Sequence, residues 1–248
     1  MAYLKYLNDE PISVARGLVR DVSGDTINGS VPAMSQNQTG TIWDINDTTY
    51  PWGALTSANN LTINVSSSGD VGDSITIYGL DANRDPLTET VTLSAQTGVS
   101  TTSAFLRVNK AVFTNISGSQ NLGNITILNG ASTAVARIRT GNGSTQMAVY
   151  SVPNGYEAYI TQGTCSCQAG ADATGKFFVR DDGQPSFVLA HSFEVSGAGG
   201  QYTYKFTTPF RVSANSDVDV EATVRSNNAR VTAAYDIILI DTTGNGLR

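Results

Sequence analysis

The chain of 248 residues contains one histidine and two cysteines, and charged residues make up only 15% of it. Each shortage excludes something. A single histidine, His191, cannot supply the repeated imidazoles of a metalloenzyme, and no Gly-x-Ser-x-Gly nucleophile motif stands beside it to suggest a serine hydrolase. Cys165 and Cys167 are the only thiols, too few for a disulfide framework or a four-ligand zinc site. Lys and Arg number 15 against 21 Asp and Glu, a net charge of -6, which argues against binding a phosphate backbone. No uninterrupted apolar run is long enough to span a bilayer as a helix. The opening, Met1 to Glu10, lacks the continuous apolar stretch of a secretory signal. No cofactor, metal, nucleic acid or membrane is expected as a partner, and no catalytic residue is assigned.

What fills the chain instead is Thr, Ser, Asn and Gly, around a 40% share of apolar residues that alternate with polar ones. Period two builds half-buried strands. Leu61, Ile63 and Val65 alternate in this way, as do Ile75 and Ile77. Asp81 to Pro86 reads as a turn, from which Leu87, Glu89, Val91 and Leu93 return. Further strands fit residues 105–108, 111–114 and 125–128. In the second half, strands fit residues 147–152, 156–161, 177–180 and 187–189. Phe187, Leu189, His191, Phe193 and Val195 are expected on one face, and Tyr202, Tyr204 and Phe206 on another. Val218, Val220, Ala222 and Val224 alternate with Asp217, Asp219 and Glu221, which places the acids on a solvent face. The segment from Val231 to Ile240 is apolar on both faces near its end, which predicts a central strand.

This pattern predicts an all-β fold: two β-sandwich or jelly-roll-like domains, residues 51–138 and 139–248, joined near 129–145 and preceded by an extended N-terminal arm over residues 1–50. Within the arm, Leu4, Leu7, Ile12, Val14, Leu18 and Val19 are too scattered to fold alone. They are expected at an interface with another subunit or a particle, while packing on the chain's own domain is the equal alternative. Trp43 and Trp52, the only tryptophans, mark the junction of arm and first domain and are candidate interface anchors. His191 is expected to be a hydrogen-bonded structural residue. The two cysteines are expected as free thiols near a surface turn.

Several segments carry a resemblance. Leu4-Lys-Tyr-Leu-Asn-Asp-Glu-Pro-Ile-Ser-Val-Ala-Arg-Gly-Leu18, Thr41-Ile-Trp-Asp44, Tyr50-Pro-Trp52, Ile77-Tyr-Gly-Leu-Asp-Ala-Asn83, Glu89-Thr-Val-Thr-Leu93 and Phe105-Leu-Arg-Val-Asn109 are six of them. Gln146 to Tyr156 and Tyr235 to Asp241 complete the set. Together these resemble a family of virion structural proteins from tailed phages of marine bacteria, cyanophages above all. The resemblance implies a non-enzymatic virion protein, assembled in the host bacterial cytoplasm: an oligomeric capsid decoration or cement protein on the head exterior, with a trimer as the symmetry considered. Its partners would be copies of itself and the major capsid protein or other virion proteins. A neck, tail, baseplate or fibre component is the alternative within the virion. A carbohydrate-binding receptor module, with Trp52, Tyr202 and Tyr204 as stacking rings, is the alternative of another class.

Overall fold

A computed structural model of the chain describes residues 10–45, 48–115, 120–130, 132–196, 200–226 and 228–243, with side chains from residue 13 onward. Among the described residues, a six-residue helix, α1 (Glu10–Ala15), precedes sixteen strands. The first nine are β1 (Val22–Met34), β2 (Thr39–Thr41), β3 (Asn59–Val65), β4 (Ser74–Leu80), β5 (Pro86–Thr92), β6 (Val99–Phe105), β7 (Arg107–Thr114), β8 (Ile125–Asn129) and β9 (Thr133–Ile138). The remainder are β10 (Val149–Ser151), β11 (Tyr156–Cys167), β12 (Ala173–Arg180), β13 (Val188–Val195), β14 (Gln201–Val212), β15 (Asp217–Val224) and β16 (Ala229–Asp241). The fold is all-β, as the alternation requires.

The strands form four antiparallel sheets around two cores. One core lies between the sheet β6-β3-β8-β9 and the sheet β5-β4-β7, where Leu61, Ile63, Ile75, Ile77, Leu93 and Phe105 meet. The other lies between β1-β16-β11-β14 and β10-β15-β12-β13. In the second of these, β2 and β10 share one edge of β15 end to end, while β12 takes the opposite edge. The segment read as doubly apolar, β16, is central: it pairs with β1 on one side and β11 on the other.

The arm reading is corrected over residues 22–45. β1 pairs with β16 from Val22↔Ile240 to Met34↔Ala229 and buries Ile27, Val31 and Met34 in the second core. Gly29 shows how closely it packs, because a Cβ there would sit 2.1 Å from the Ile42 carbonyl oxygen and 2.5 Å from the Ala148 nitrogen. The apolar residues of this stretch are spaced for a strand, but turn-forming Ser, Gly and Asn between them hide the period. β2 then joins the same sandwich through Thr39, Gly40 and Thr41. The first sandwich, residues 55–138, is therefore an insertion between β2 and β10 of the second, and the boundaries 1–50, 51–138 and 139–248 do not describe the architecture. Asn129 and Gly130 turn between β8 and β9; the return crossing is at 139–148.

Leu4 and Leu7 lie outside the described residues, and Ile12 lies in α1, where its side chain is not described. Val14 and Val19 are half-buried, and Leu18 is exposed. Trp43 is buried in the first core rather than at an outer interface.

Removing β1 would strip three buried side chains from the second core, each contributing about 1.5–3 kcal/mol. It would also leave one edge of β16 unpaired. A chain truncated to start at Pro51 is therefore expected to lose the second sandwich. Calorimetry should show one domain-sized transition instead of that of the full chain, with a fall in soluble yield. A truncated protein that melts like the full chain would restore the arm reading.

Candidate functional site

The crossing between the sandwiches is built from residues that local patterning treats as unrelated. The strap over 41–55 is closed on itself. Thr41 donates its amide N–H to the Thr48 carbonyl at 3.1 Å, the Trp43 indole donates to the same oxygen at 3.0 Å, and the Tyr50 amide donates to the Thr41 hydroxyl at 2.8 Å. Trp43, Tyr50 and Trp52 touch in series, the first pair edge-on and the second tilted, with ring centroids 5.1 and 4.5 Å apart. A 3-10 turn at Trp52–Ala54 then carries Leu55 into the first core.

Beneath this strap lies Asp217, the first residue of β15, only 1% exposed. Three arginines reach it. Arg107, from β7 of the first sandwich, donates Nε to Oδ1 at 3.1 Å and Nη2 to Oδ2 at 3.2 Å. Arg84, from the β4–β5 turn, donates Nη1 to Oδ1 at 3.3 Å and to the Asn215 carbonyl at 2.5 Å. Arg180, at the end of β12 in the second sandwich, donates Nη2 to Oδ2 at 2.6 Å. The Ser151 hydroxyl adds a fourth donor at 2.6 Å. The indole of Trp52 lies against two of these cations, with its centroid 5.5 Å from Arg107 and 5.3 Å from Arg180. Phe187 covers Arg180 at 4.7 Å. Cation–π contact and ion pairing hold the same guanidinium groups.

Two further ties flank the cluster. Asn109 and Ser151 exchange hydrogen bonds at 2.9 Å across the domains. Asn154 donates its amide N–H to the Arg84 carbonyl at 2.8 Å and its side-chain amide to Asp85 at 3.0 Å. Within the first sandwich, Gly79 of β4 lets β7 come close at Arg107, since a Cβ there would lie 2.1 Å from the Arg107 carbonyl oxygen.

Asp217 and Asp219 sit two residues apart and ionise differently. Burial opposes the charge on Asp217, but the hydrogen bonds and charge of Arg107, with Arg84 and Ser151, outweigh it and hold its carboxyl down to about 2. For Asp219 burial dominates: bonds from Trp52 Nε1 at 2.7 Å and Thr41 at 3.2 Å do not offset it, and the carboxyl is pushed up to about 7. Asp44 behaves like Asp219, its burial raising it to about 7 against one bond from the Gln146 amide and the charges of Arg139 and Arg137. Asp44 Oδ1 and Asp219 Oδ1 are buried without a hydrogen-bond partner among the described residues, as a protonated acid tolerates better than a charged one.

Two spaces open beside the junction. One is a cleft of about 310 Å³ over the arginine cluster, with Trp52, Leu55 and Leu106 in its walls and the turn 181–184 at its rim. The other is a groove of about 500 Å³ between the domains, lined by Tyr78, Tyr150, Tyr156, Leu87, Asp25 and Lys110 among others.

The structure redistributes the residues singled out by sequence. Trp52 is at the junction, with its ring engaged by arginines. Tyr202 and Tyr204 lie on β14, where they pack on His191, so the three aromatics proposed as a sugar platform are not one surface. His191 is hydrogen-bonded as expected, with Nε2 3.1 Å from the Tyr202 hydroxyl. Leu189 leaves the expected face because β13 bulges between Leu189 and His191, which pair with Phe178 and Phe177. Cys165 and Cys167 are free but buried rather than near a surface turn, and burial pushes the Cys165 thiol up to about 12. Asp217 and Asp219 are buried, not on a solvent face. The arginines were missed altogether. Their signal is faint: Arg107 interrupts the apolar run Phe105 to Val108 in a chain poor in charge.

No family model matches the chain, and no curated protein sequence matches it. Among solved structures, similarity is found to the naturally occurring empty particles of cowpea mosaic virus, at 9% identity over 77% of this chain and 87% of that one, with a TM-score of 0.24. Infectious bursal disease virus (Gt strain) gives 10% identity, 91% and 73% coverage and a TM-score of 0.23. A Cry1Da tryptic core variant from Bacillus thuringiensis gives 10% identity, 85% and 59% coverage and a TM-score of 0.20. Overlaps at this level do not amount to a shared fold.

Replacing Asp217 with Asn is expected to cost about 3–5 kcal/mol, because it leaves buried guanidinium charge uncompensated. Calorimetry should show the full chain's melting split into separate domain transitions. Unchanged melting would mean that the cluster does not hold the domains together.

Asp44 and Asp219 bind a proton more tightly in the folded chain than in the unfolded one. Between the ordinary value of 3.8 and about 7 the folded state therefore carries more protons, and stability falls as pH rises through that window. Asp217 acts in the opposite sense, its contribution being lost only as pH falls from 3.8 toward about 2. The melting temperature is expected to be higher near pH 5 than near pH 8, with the difference reduced in the Asp44→Asn, Asp219→Asn double variant.

Proposed function

We propose that the chain is a non-enzymatic structural subunit of a tailed-phage virion, an oligomeric decoration or cement protein on the head exterior. The sequence resemblance supports this, and four of its segments meet at the junction. Residues 41–44 and 50–52 form the strap, 105–109 carry Arg107 and Asn109, and 146–156 carry Ser151 and Asn154. The observation that carries the reading is mechanical. Two sandwiches are tied into one body by a buried charge cluster, while β13, an outer strand of the second sandwich, leaves Val188 68% and Leu189 47% exposed. A stiff body with an apolar edge suits repeated packing in a symmetric array. The partners under this reading are copies of the chain itself and the shell protein beneath it.

Residues 22–42 are taken up by the second sandwich and Trp43 by the first, so particle contact would fall to the open edge and to whatever precedes β1. Quantitative mass spectrometry of purified particles tests the placement. Hundreds of copies per particle are expected; about six to eighteen would move the chain to the neck, tail or baseplate, where cyclic symmetry sets the number. Sedimentation of the pure protein should give an oligomer that the Val188→Asp, Leu189→Asp double variant weakens. A protein that stays monomeric at every concentration and is absent from particles would overturn the proposal.

The interdomain groove favours a second reading, a carbohydrate-binding module. Tyr78 is 42% exposed in it, beside Asp25 and Lys110, and an open ring among polar groups suits stacking on a sugar. Glycan-array binding lost in Tyr78→Ala would promote that reading above the first.

A further inference from the structure

The junction cluster holds more cation than its carboxylate uses. Arg107 alone matches Asp217, one N–H to each oxygen, which is the complete bidentate pairing of guanidinium and carboxylate. Arg84 and Arg180 each add a single N–H to the same group. Nε and Nη2 of Arg84, and Nε and Nη1 of Arg180, have no hydrogen-bond partner among the described residues. The two side chains come from different sandwiches and are 19% and 18% exposed, shielded from bulk water yet open to a ligand. Both line the 310 Å³ cleft.

Neighbouring acids leave this surplus in place. Asp181 faces the hydroxyls of Ser213 and Ser216, and Asp182 the side-chain amide of Asn215. Neither forms an ion pair with Arg84 or Arg180. Arg84 and Arg180 therefore share one carboxylate with Arg107, and a further anion is what would engage the N–H groups they leave over.

We propose that the cleft is a binding site for a carboxylate group, held between Arg84 and Arg180 over Trp52. The guanidinium fork matches the planar pair of oxygens of a carboxylate. The rim carboxylates of Asp181 and Asp182 favour a carboxylate group, which brings one negative charge into the cleft, over a phosphate dianion, whose two charges sit on one group and would be repelled more strongly. Leu55 and Leu106 offer apolar walls to the carbon skeleton that bears the acid. The carboxylate can come from a free organic acid or from an acidic side chain of another polypeptide, and the site does not depend on the virion reading.

Trp52 provides the readout, because Arg180 lies against its ring and the other tryptophan is buried in the first core. The full chain is titrated with sodium glutarate, a hexaglutamate peptide, phosphate and chloride at equal ionic strength near pH 7, following tryptophan emission and melting temperature. A saturable response to the carboxylates that exceeds those to phosphate and chloride is expected. It should weaken by about tenfold or more in Arg84→Gln and in Arg180→Gln. Arg180→Lys should weaken it too, since an ammonium lacks the fork. Saturation by the peptide at lower concentration than glutarate indicates a polypeptide source, and the reverse order a free acid; either supports the site. A response that does not saturate, that phosphate matches, or that survives both glutamine substitutions overturns it. If those variants fail to fold, the order of anions on the unaltered chain decides alone.

Discussion

A single carboxylate, that of Asp217, lies where guanidinium groups from both sandwiches meet, and the two-domain architecture turns on it. Buried ion pairs are not stabilising by default, because the desolvation of both partners offsets their attraction. Here the balance is tipped by geometry. Both oxygens are saturated with donors, and the cations are held on Trp52 and Phe187 as well as on the acid. The result is positional more than energetic: apolar contact would tolerate a slide between the domains, whereas a fork on a buried carboxylate tolerates little.

The chain path adds to this constraint. Because the first sandwich is inserted between β2 and β10, the backbone crosses the junction twice, at 43–55 and at 139–148. A domain on one linker can swing, but one on two linkers with an ion cluster between them is restricted in rotation as well. The strap in the first crossing is internally hydrogen-bonded, which removes the slack that a flexible linker would supply. Burial raises the carboxyls of Asp44 and Asp219 to about 7, so this region carries less negative charge than its three acids would in water, and the one held firmly ionised is Asp217, against the arginines.

Each sheet of the second sandwich ends on an open strand, β13 or β14, and the two are managed unevenly. β14 carries Lys205 and Pro209 and shifts register against β11, devices that discourage edge-to-edge pairing. β13 presents Val188 and Leu189 to solvent after its bulge. An edge protected along one strand and left apolar on its neighbour is the arrangement expected of a surface that meets a chosen partner rather than any exposed strand.

The all-β class and the strands around Leu61 to Val65, Ile75 to Leu93 and Val218 to Val224 were legible in the sequence, because side-chain alternation is a local property of a pleated strand. So was the central place of β16, whose end is a continuous apolar run, and so was the hydrogen bonding of His191. β6 and β9 were not, being short and rich in Thr, Ser and Ala. β1 was missed because its burial comes from pairing with residues some two hundred positions away. The candidate site was illegible for the same reason. Whether Asp217 faces water or three arginines depends on where β7, β12 and the β4–β5 turn are brought together. Alternation places an acid on one side of a strand; only the packing of a second domain against that side decides whether the acid is solvated, neutralised or paired.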